Sequence, residues 1–375
     1  MNSRSFSATA LTGLEAALSA LLDGLVPVEP GVLPLDQALG RVAAGTPPLE
    51  SALPAYAVAV TDGWACRALD LVGASAYSPV ALAAAPVWVE AGDAMPDGCD
   101  CILQADLVDC GSSIAQAVGE AVPGHGVRHA GEDMTAGRPL ALEGRTLSAT
   151  DLLVARKAGY DELAVRSPMV RVIDVAAASG DRFTSLFLAD SLTASGATVR
   201  IESVQRDAAS ISAALDGEAS DLIVVIGGTG EGRTDATVEA FARRKALIAH
   251  RVALRPGGTT AIGQLDRMPV IALPGLPAHA LAGFLALVRP VLDRLTGRND
   301  RRSIVLPLSR KVSSAVGFYE IVLLAEEKGT WTPLAVGDFS LDAIRLADAW
   351  LAVPGGSEGY AAGTLVAAAP LRHRD

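Results

Sequence analysis

The sequence predicts a multidomain α/β and β protein built around a central α/β domain with a parallel-type sheet, and three observations predict it. Between residues 170 and 226 short apolar runs alternate with helical periodicity, the pattern of an open sheet covered on both faces. From 53 to 128, and again from 301, short β-type runs alternate with turn residues. The segments 12–47 and 131–165 carry helical periodicity. With 375 residues the chain has room for two to four domains. We place a helical linking region at 1–50 and 129–168, a small β-rich domain at 51–128, the α/β domain at 169–298 and a barrel-like β domain at 299–375.

Taken in order, LTGLEAALSALLDGL (11–25) predicts a first helix and PLDQALGRVAAG (34–45) a second, ended by Gly45 and Pro47. The runs YAVAV, PVWVEAG and CILQADLV supply strands of the small domain. Ser148 and Asp151 have the spacing of a capped helix start over 148–157. The α/β domain then reads as strand 170–175, helix 184–195, strand 197–204, helix 208–217 and strand 222–226, with a further helix from about 236. SIVLPLSRKV, YEIVLLAEE, AWLAVP and TLVAAAPL are the C-terminal strands.

Half the residues are apolar, 19% are charged and the net charge is −11. This balance describes a folded chain and argues against non-specific binding to nucleic acid or an anionic membrane. An anionic ligand would have to be captured by local backbone N–H groups and a few arginines. No signal peptide is expected in 1–22. The most apolar helical stretch, 278–292, is broken by His279, Arg289 and Pro290 and reads as a core helix. Cys66, Cys99, Cys101 and Cys110 lack metal-site spacing and read as reduced thiols of a cytoplasmic protein. His125 and His129, four apart, lie among Pro123, Gly124 and Gly126 and read as loop.

In an open α/β sheet ligands sit beyond the carboxyl ends of the strands, so the residues after Val175, Ile226 and Leu273 are candidates for a site. The strongest signal is the loop GGTGEGRTDAT (227–237), where a buried strand runs into glycines and then a helix. Glycines can turn several N–H groups toward an anion, and the helix N-terminus adds partial positive charge. Thr229, Thr234 and Thr237 offer hydroxyl donors, while Asp235 reads either as the helix N-cap or as a carboxylate beside a phosphate. No Gly-Lys-Ser/Thr follows, so this is not a nucleotide P-loop. LRPGGTTAIG (254–263) and LPGLPAHAL (273–281) are ordinary turns taken singly, but three such loops would converge on one sheet edge, with Arg255 the nearest fixed cation. Asp62, before Gly63, reads as a turn residue or a functional carboxylate; Arg128 and Asp133 read as a surface pair.

Five segments in one order carry a resemblance. PAYAVAVTDGWA (54–65) resembles P-x-F-D-N-S-x-M-D-G-Y-A, AGDAMPDGCDCILQAD (91–106) resembles T-G-A-x-x-P-x-G-A-D-x-V-V-x-x-E, and GVRHAGEDMTAG (126–137) resembles N-I-R-x-x-G-E-D-I-x-x-G. LRPGGTTAIG and LPGLPAHAL are similar to K-P-G-K-P-x-x-x-G and L-P-G-N-P-x-S-A. From about residue 12 to 371 the chain therefore resembles the molybdopterin molybdenumtransferase family, of MoeA/gephyrin type. The resemblance implies an elongated homodimer and insertion of molybdenum from molybdate into adenylated molybdopterin, with Mg²⁺ and release of AMP. It implies Asp235 and Asp62 as catalytic and metal-holding residues. The pterin would lie against Gly227, Gly228, Thr229, Gly230, Gly232, Thr234, Arg255, Pro256, Gly257, Gly258, Pro274, Gly275 and Ser340.

There are departures. The family's S-T-G-D-E-L loop and the acidic segment after it are absent, and AAASGDRF (176–183) puts Arg182 where a carboxylate is expected. The family lysines become Arg255 and Gly258, and the Asn of L-P-G-N-P becomes Leu276. The GGTG form of the loop is closer to the related adenylylating, MogA-like domain. A non-catalytic carrier or insertion chaperone of the cofactor, partnered by a molybdenum enzyme, is the alternative these losses leave open.

Overall fold

The computed structural model describes residues 11–111, 113–177, 179–299 and 301–371. The chain divides into two compact units, one of residues 45–142 and 149–161, the other of the remainder.

The larger unit holds a six-stranded sheet. In chain order its elements are β1 (Met169–Val175), α1 (Phe183–Ala194), β2 (Thr198–Val204), α2 (Ala208–Leu215), β3 (Leu222–Ile226), α3 (Thr237–Arg243), β4 (Leu247–His250), β5 (Ala261–Leu265), β6 (Met268–Leu273) and α4 (Pro277–Gly283). The strand order is β2-β1-β3-β6-β5-β4. β2, β1, β3 and β6 run parallel, while β5 pairs antiparallel with both β6 and β4, so the sheet is mixed rather than wholly parallel. The apolar runs are continuous because both faces are buried. Val170, Val172, Leu222 and Val224 pack on one side with Leu188 and Leu192 of α1. Ile173, Val175, Ile223 and Val225 pack on the other with Ile211 of α2 and Phe241 of α3. Register places the site: Asp174 pairs across with Ile226, and Ile226 with Leu273, so the loops after β1, β3 and β6 leave the sheet at one level.

The stretch 277–296 is α4, a buried π-helical turn (Phe284–Val288) and a helix Arg289–Thr296. It is a core helix, and no helix among the described residues is long and apolar enough to cross a membrane. The C-terminal strands form a sheet in the order Leu254–Arg255, Tyr319–Glu327, Ala349–Val353, Leu365–Pro370, Ile304–Pro307, with Thr330–Val336 paired to Tyr319–Glu327. A parallel bridge between Leu308 and Trp331 links its two edges, and among the described residues no fully paired closed barrel forms. Leu254–Arg255, read from sequence as part of the α/β domain, belongs to this second sheet.

The predicted helix over 34–45 shrinks to Leu35–Ala38. Gly31–Pro34 and Val42–Ala43 instead flank Glu162–Arg166 in a three-stranded sheet. A Gly at 40 and β-branched Val42 favour leaving the helix once a strand partner is present. Helix over 131–165 is likewise confined to Ala149–Lys157.

The smaller unit is β-rich and includes the helix Ala149–Lys157, so it extends beyond the 51–128 expected from sequence. Gly63–Cys66 is flanked by Val87–Val89 and Cys101–Leu103, and a second three-stranded sheet joins Val80–Ala81, Gln116–Ala117 and Val108–Asp109. Its core gathers Cys66, Leu71, Cys101 and Leu103.

Candidate active site

At the carboxyl ends of β1 and β3 a shallow cleft opens, bounded also by Gly275 after β6 and by Arg206 after β2. Gly227 and Gly228 form its floor with left-handed φ of +99° and +67°. A Cβ on Gly228 would lie 2.7 Å from Oγ1 of Thr237, so this turn requires glycine. The Thr237 hydroxyl donates to the Gly227 carbonyl at 2.8 Å and is buried, which ties the loop to the start of α3. Thr229 is also buried, shares a hydrogen bond with the Thr259 hydroxyl, and its carbonyl meets Nε2 of His250 at 3.0 Å. Of the three predicted hydroxyl donors, Thr234 is the exposed one.

Asp235 is not the helix N-cap; Ala236 holds that position without a side-chain cap. Instead its Oδ1 accepts from Nη2 of Arg206 at 2.5 Å and its Oδ2 from the Gly232 N–H at 3.0 Å. A side chain at Gly230 would collide with the same carboxylate at 2.7 Å. Next to Arg206, Asp207 caps α2, accepting the N–H groups of Ser210 and Ala209. The bond from the Ser210 N–H leads in holding the Asp207 carboxyl below its usual range. The backbone that carries Arg206 is thereby pinned.

On the β1 side, the buried Asp174 accepts from the hydroxyls of Ser185 (2.7 Å) and Ser203 (3.0 Å) and pairs with Nε of Arg182 at 3.2 Å. The Thr184 hydroxyl donates to the Gly275 carbonyl at 2.6 Å, closing α1 onto the loop after β6.

Of the residues expected from sequence, Gly227, Gly228 and Gly275 line the cleft, and Asp235 reaches it through Arg206. Pro274 is buried behind Gly275. Arg255 does not line it. Its guanidinium sits 4.6 Å from the ring centroid of Phe318 and 3.8 Å from Oε1 of Glu320 in the second sheet. Pro256, Gly257 and Gly258 continue that passage, and a Cβ on Gly257 would meet the His279 carbonyl at 3.0 Å. Ser340 caps the helix Leu341–Leu346, accepting the Ala343 N–H at 3.1 Å. Asp62 is in the smaller unit, exposed, and accepts the N–H of Ala91, 29 residues further along the chain, at 2.8 Å. Arg128 and Asp133 form a half-exposed pair there at 2.5 Å. Asp174 and Arg206 were not singled out from sequence; a carboxylate interrupting an apolar strand near its carboxyl end is the signal that finds Asp174.

A resident Mg²⁺ ion does not fit this donor set. Mg²⁺ takes carboxylate and water oxygens in a near-octahedral shell, whereas Asp235 already holds a guanidinium and an N–H, Asp174 a guanidinium and two hydroxyls, and Asp181, the third carboxylate at the cleft, is exposed and accepts from the Ser179 hydroxyl. Among the described residues no group of three or more His, Cys, Asp or Glu could hold a metal ion.

Comparison with known proteins agrees with the resemblance. The model of the MoeA N-terminal region (domain I and II) matches residues 12–159, and that of the "Probable molybdopterin binding domain" matches 181–294, which includes the cleft residues from Asp181 onward but not Asp174, Val175 or Ala177. The molybdopterin molybdenumtransferase 2 of Mycobacterium tuberculosis is 28% identical over 344 residues, covering 80% of this chain and 85% of that protein. The molybdopterin molybdenumtransferase of Bacillus subtilis is 23% identical over 398 residues, covering 91% and 90%. In fold, the chain is similar to the molybdopterin biosynthesis MoeA protein of Pyrococcus horikoshii, with a TM-score of 0.71 at 24% identity over 97% of this chain and 100% of that one. With both regions matched in order and the fold shared along the chain, the protein belongs to the MoeA-type family.

Proposed function

We propose that this protein acts in molybdenum cofactor biosynthesis as a molybdopterin molybdenumtransferase. Adenylated molybdopterin binds in the cleft, molybdate gives its molybdenum to the dithiolene sulfurs, and water cleaves the phosphoanhydride into AMP and the pterin's phosphate monoester. One observation carries this reading: loops from three strand ends in register frame a glycine-floored cleft, most of whose lining residues fall within the segment matched by a molybdopterin-binding model. The glycines let a ligand approach the backbone closely, and Asp235 acts by positioning Arg206 and the loop rather than by touching a metal. The homodimer implied by the resemblance belongs to the same proposal, and a monomer mass by light scattering at micromolar concentration would sink it.

A second reading, a binding protein without turnover, is favoured by the carboxylates themselves. Asp174 and Asp235 are each already paired with an arginine. The test is AMP release from adenylated molybdopterin by purified protein, with and without molybdate. Molybdate-dependent release supports the transferase; tight binding with no release leaves the carrier.

A further inference from the structure

We propose that Arg182 and Arg206 are the phosphoryl-binding groups of the cleft, and that they neutralise the ligand's phosphate oxygens there without a divalent cation. The inference rests on the reading of the cleft as the pterin site and names the chemistry by which that site would hold its ligand.

Both arginines line the same cleft, and both are held from behind by a carboxylate. Asp174 is fixed by two hydroxyls and engages Arg182 through Nε, while the Arg182 side chain remains 42% exposed. Asp235 engages Arg206 through Nη2, and Nε of Arg206 is buried with no hydrogen-bond partner among the described residues. A buried donor left unpaired is uncommon in a folded protein, and the Arg206 side chain, 31% exposed, lines the cleft with the part that Asp235 does not hold. A guanidinium presents five N–H groups in a rigid fork, so a carboxylate can hold one edge while the rest meet phosphate oxygens. Holding the fork in place beforehand lowers the entropy lost on binding. The floor at Gly227 and Gly228 carries no side chain, so a phosphoryl group can come close to the backbone.

The charges around the cleft give the proposal a sharp edge. Asp174 and Asp235 are matched one to one by Arg182 and Arg206. Asp181 also lines the cleft, is exposed, and accepts a hydrogen bond from Ser179, so its charge opposes any anion. Neutralising it should help an anionic ligand and harm a metal ion.

The experiment is calorimetric titration of the full chain with inorganic pyrophosphate in EDTA. Binding is expected without metal. Arg182→Gln and Arg206→Gln should each weaken it at least about tenfold, the loss of a charge-assisted contact. Asp181→Asn should tighten it about two- to fivefold by removing a repulsive charge. Because Arg206→Gln strands the Asp235 carboxylate, the paired variant Arg206→Gln/Asp235→Asn is measured beside it, with thermal melting to verify folding. Undiminished affinity in folded arginine variants, or binding that appears only when Mg²⁺ is added, overturns the proposal. Titration with adenylated molybdopterin separates the two readings. Normal binding of that ligand by the arginine variants overturns this inference and leaves the proposed function standing. Arginine-dependent pyrophosphate binding, with no competition from adenylated molybdopterin, supports the arginine site and removes the pterin reading.

Discussion

Arg206 and Asp235 are 29 residues apart in sequence and 2.5 Å apart in the structure, one at the end of β2 and the other in the loop before α3. The pair joins two loops that the sheet by itself only brings to the same edge. Asp235 additionally holds the Gly232 N–H, so one carboxylate sets both the cation and the glycine loop.

Asp235→Asn should therefore cost stability as well as function. The amide keeps the shape but leaves Arg206 without its counter-charge in a site where the carboxylate side chain is only 11% exposed. A loss of about 1–3 kcal/mol is expected. Urea denaturation checks it, and a midpoint unchanged from the parent would mean that the pair contributes nothing.

Two cleft glycines should respond differently to alanine. Gly228→Ala places a Cβ 2.7 Å from Oγ1 of Thr237 on a backbone at φ +67°, and should cost about 1–2 kcal/mol from the left-handed conformation alone. At Gly275 the nearest atom to a new Cβ is Cα of Gly227 at 3.6 Å, an ordinary contact, so Gly275→Ala should fold with a loss below about 0.5 kcal/mol. Thermal melts of the two variants that coincide would contradict the described loop geometry.

The thiols of the smaller unit give a pH dependence. Burial pushes Cys101 up to about 12 and Cys66 up to about 11, with Asp100 the next contributor at Cys101 and Cys99 at Cys66. A thiol with a raised folded pKa stays protonated where its unfolded counterpart has ionised. The stability it contributes is whole below about pH 9 and is lost as pH rises toward 11–12. Denaturation midpoints should fall over that window, and Cys66→Ala/Cys101→Ala should flatten the fall. Iodoacetamide at pH 8 should label the exposed Cys110 well before Cys66 or Cys101.

Arg255 should behave as a structural residue of the second sheet. Its stacking on Phe318 and its long contact to Glu320 predict that Arg255→Ala lowers stability by about 0.5–1 kcal/mol. Arg255→Lys should recover part of that loss, since charge is kept while the planar stack is not. Equal melting temperatures for all three proteins would show that the stack has no energetic weight.

The α/β core was legible because doubly buried strands read as uninterrupted apolar runs. Leu222–Ile226 was located to the residue, and the helix found at Phe183–Ala194 was read one residue further along. The same reading failed at 34–45, where LDQAL satisfies helical spacing but strand pairing with Glu162–Arg166, more than 100 residues away, takes Val42 and Ala43. At the site, the glycine loop announced itself, since backbone turns leave a composition signal. Arg206 left none: a lone arginine after a strand acquires meaning only through Asp235. Arg255 was read as the fixed cation nearest three loops converging on one sheet edge; it is not among the residues lining the cleft, and the chain between β4 and β5 crosses to another sheet.

The division of the chain also bears on the order in which the protein can fold as it is synthesised. Residues 45–142 and 149–161 complete the smaller unit. Gly31–Pro34 must wait for Glu162–Arg166 before it has a strand partner. On the ribosome, the inserted unit therefore has all its parts while the N-terminal segment of the other still lacks a partner. The early segment, whose Leu14, Ala17 and Leu21 are buried only against later residues such as Val288 and Leu292, is the part of the nascent chain that needs protection longest.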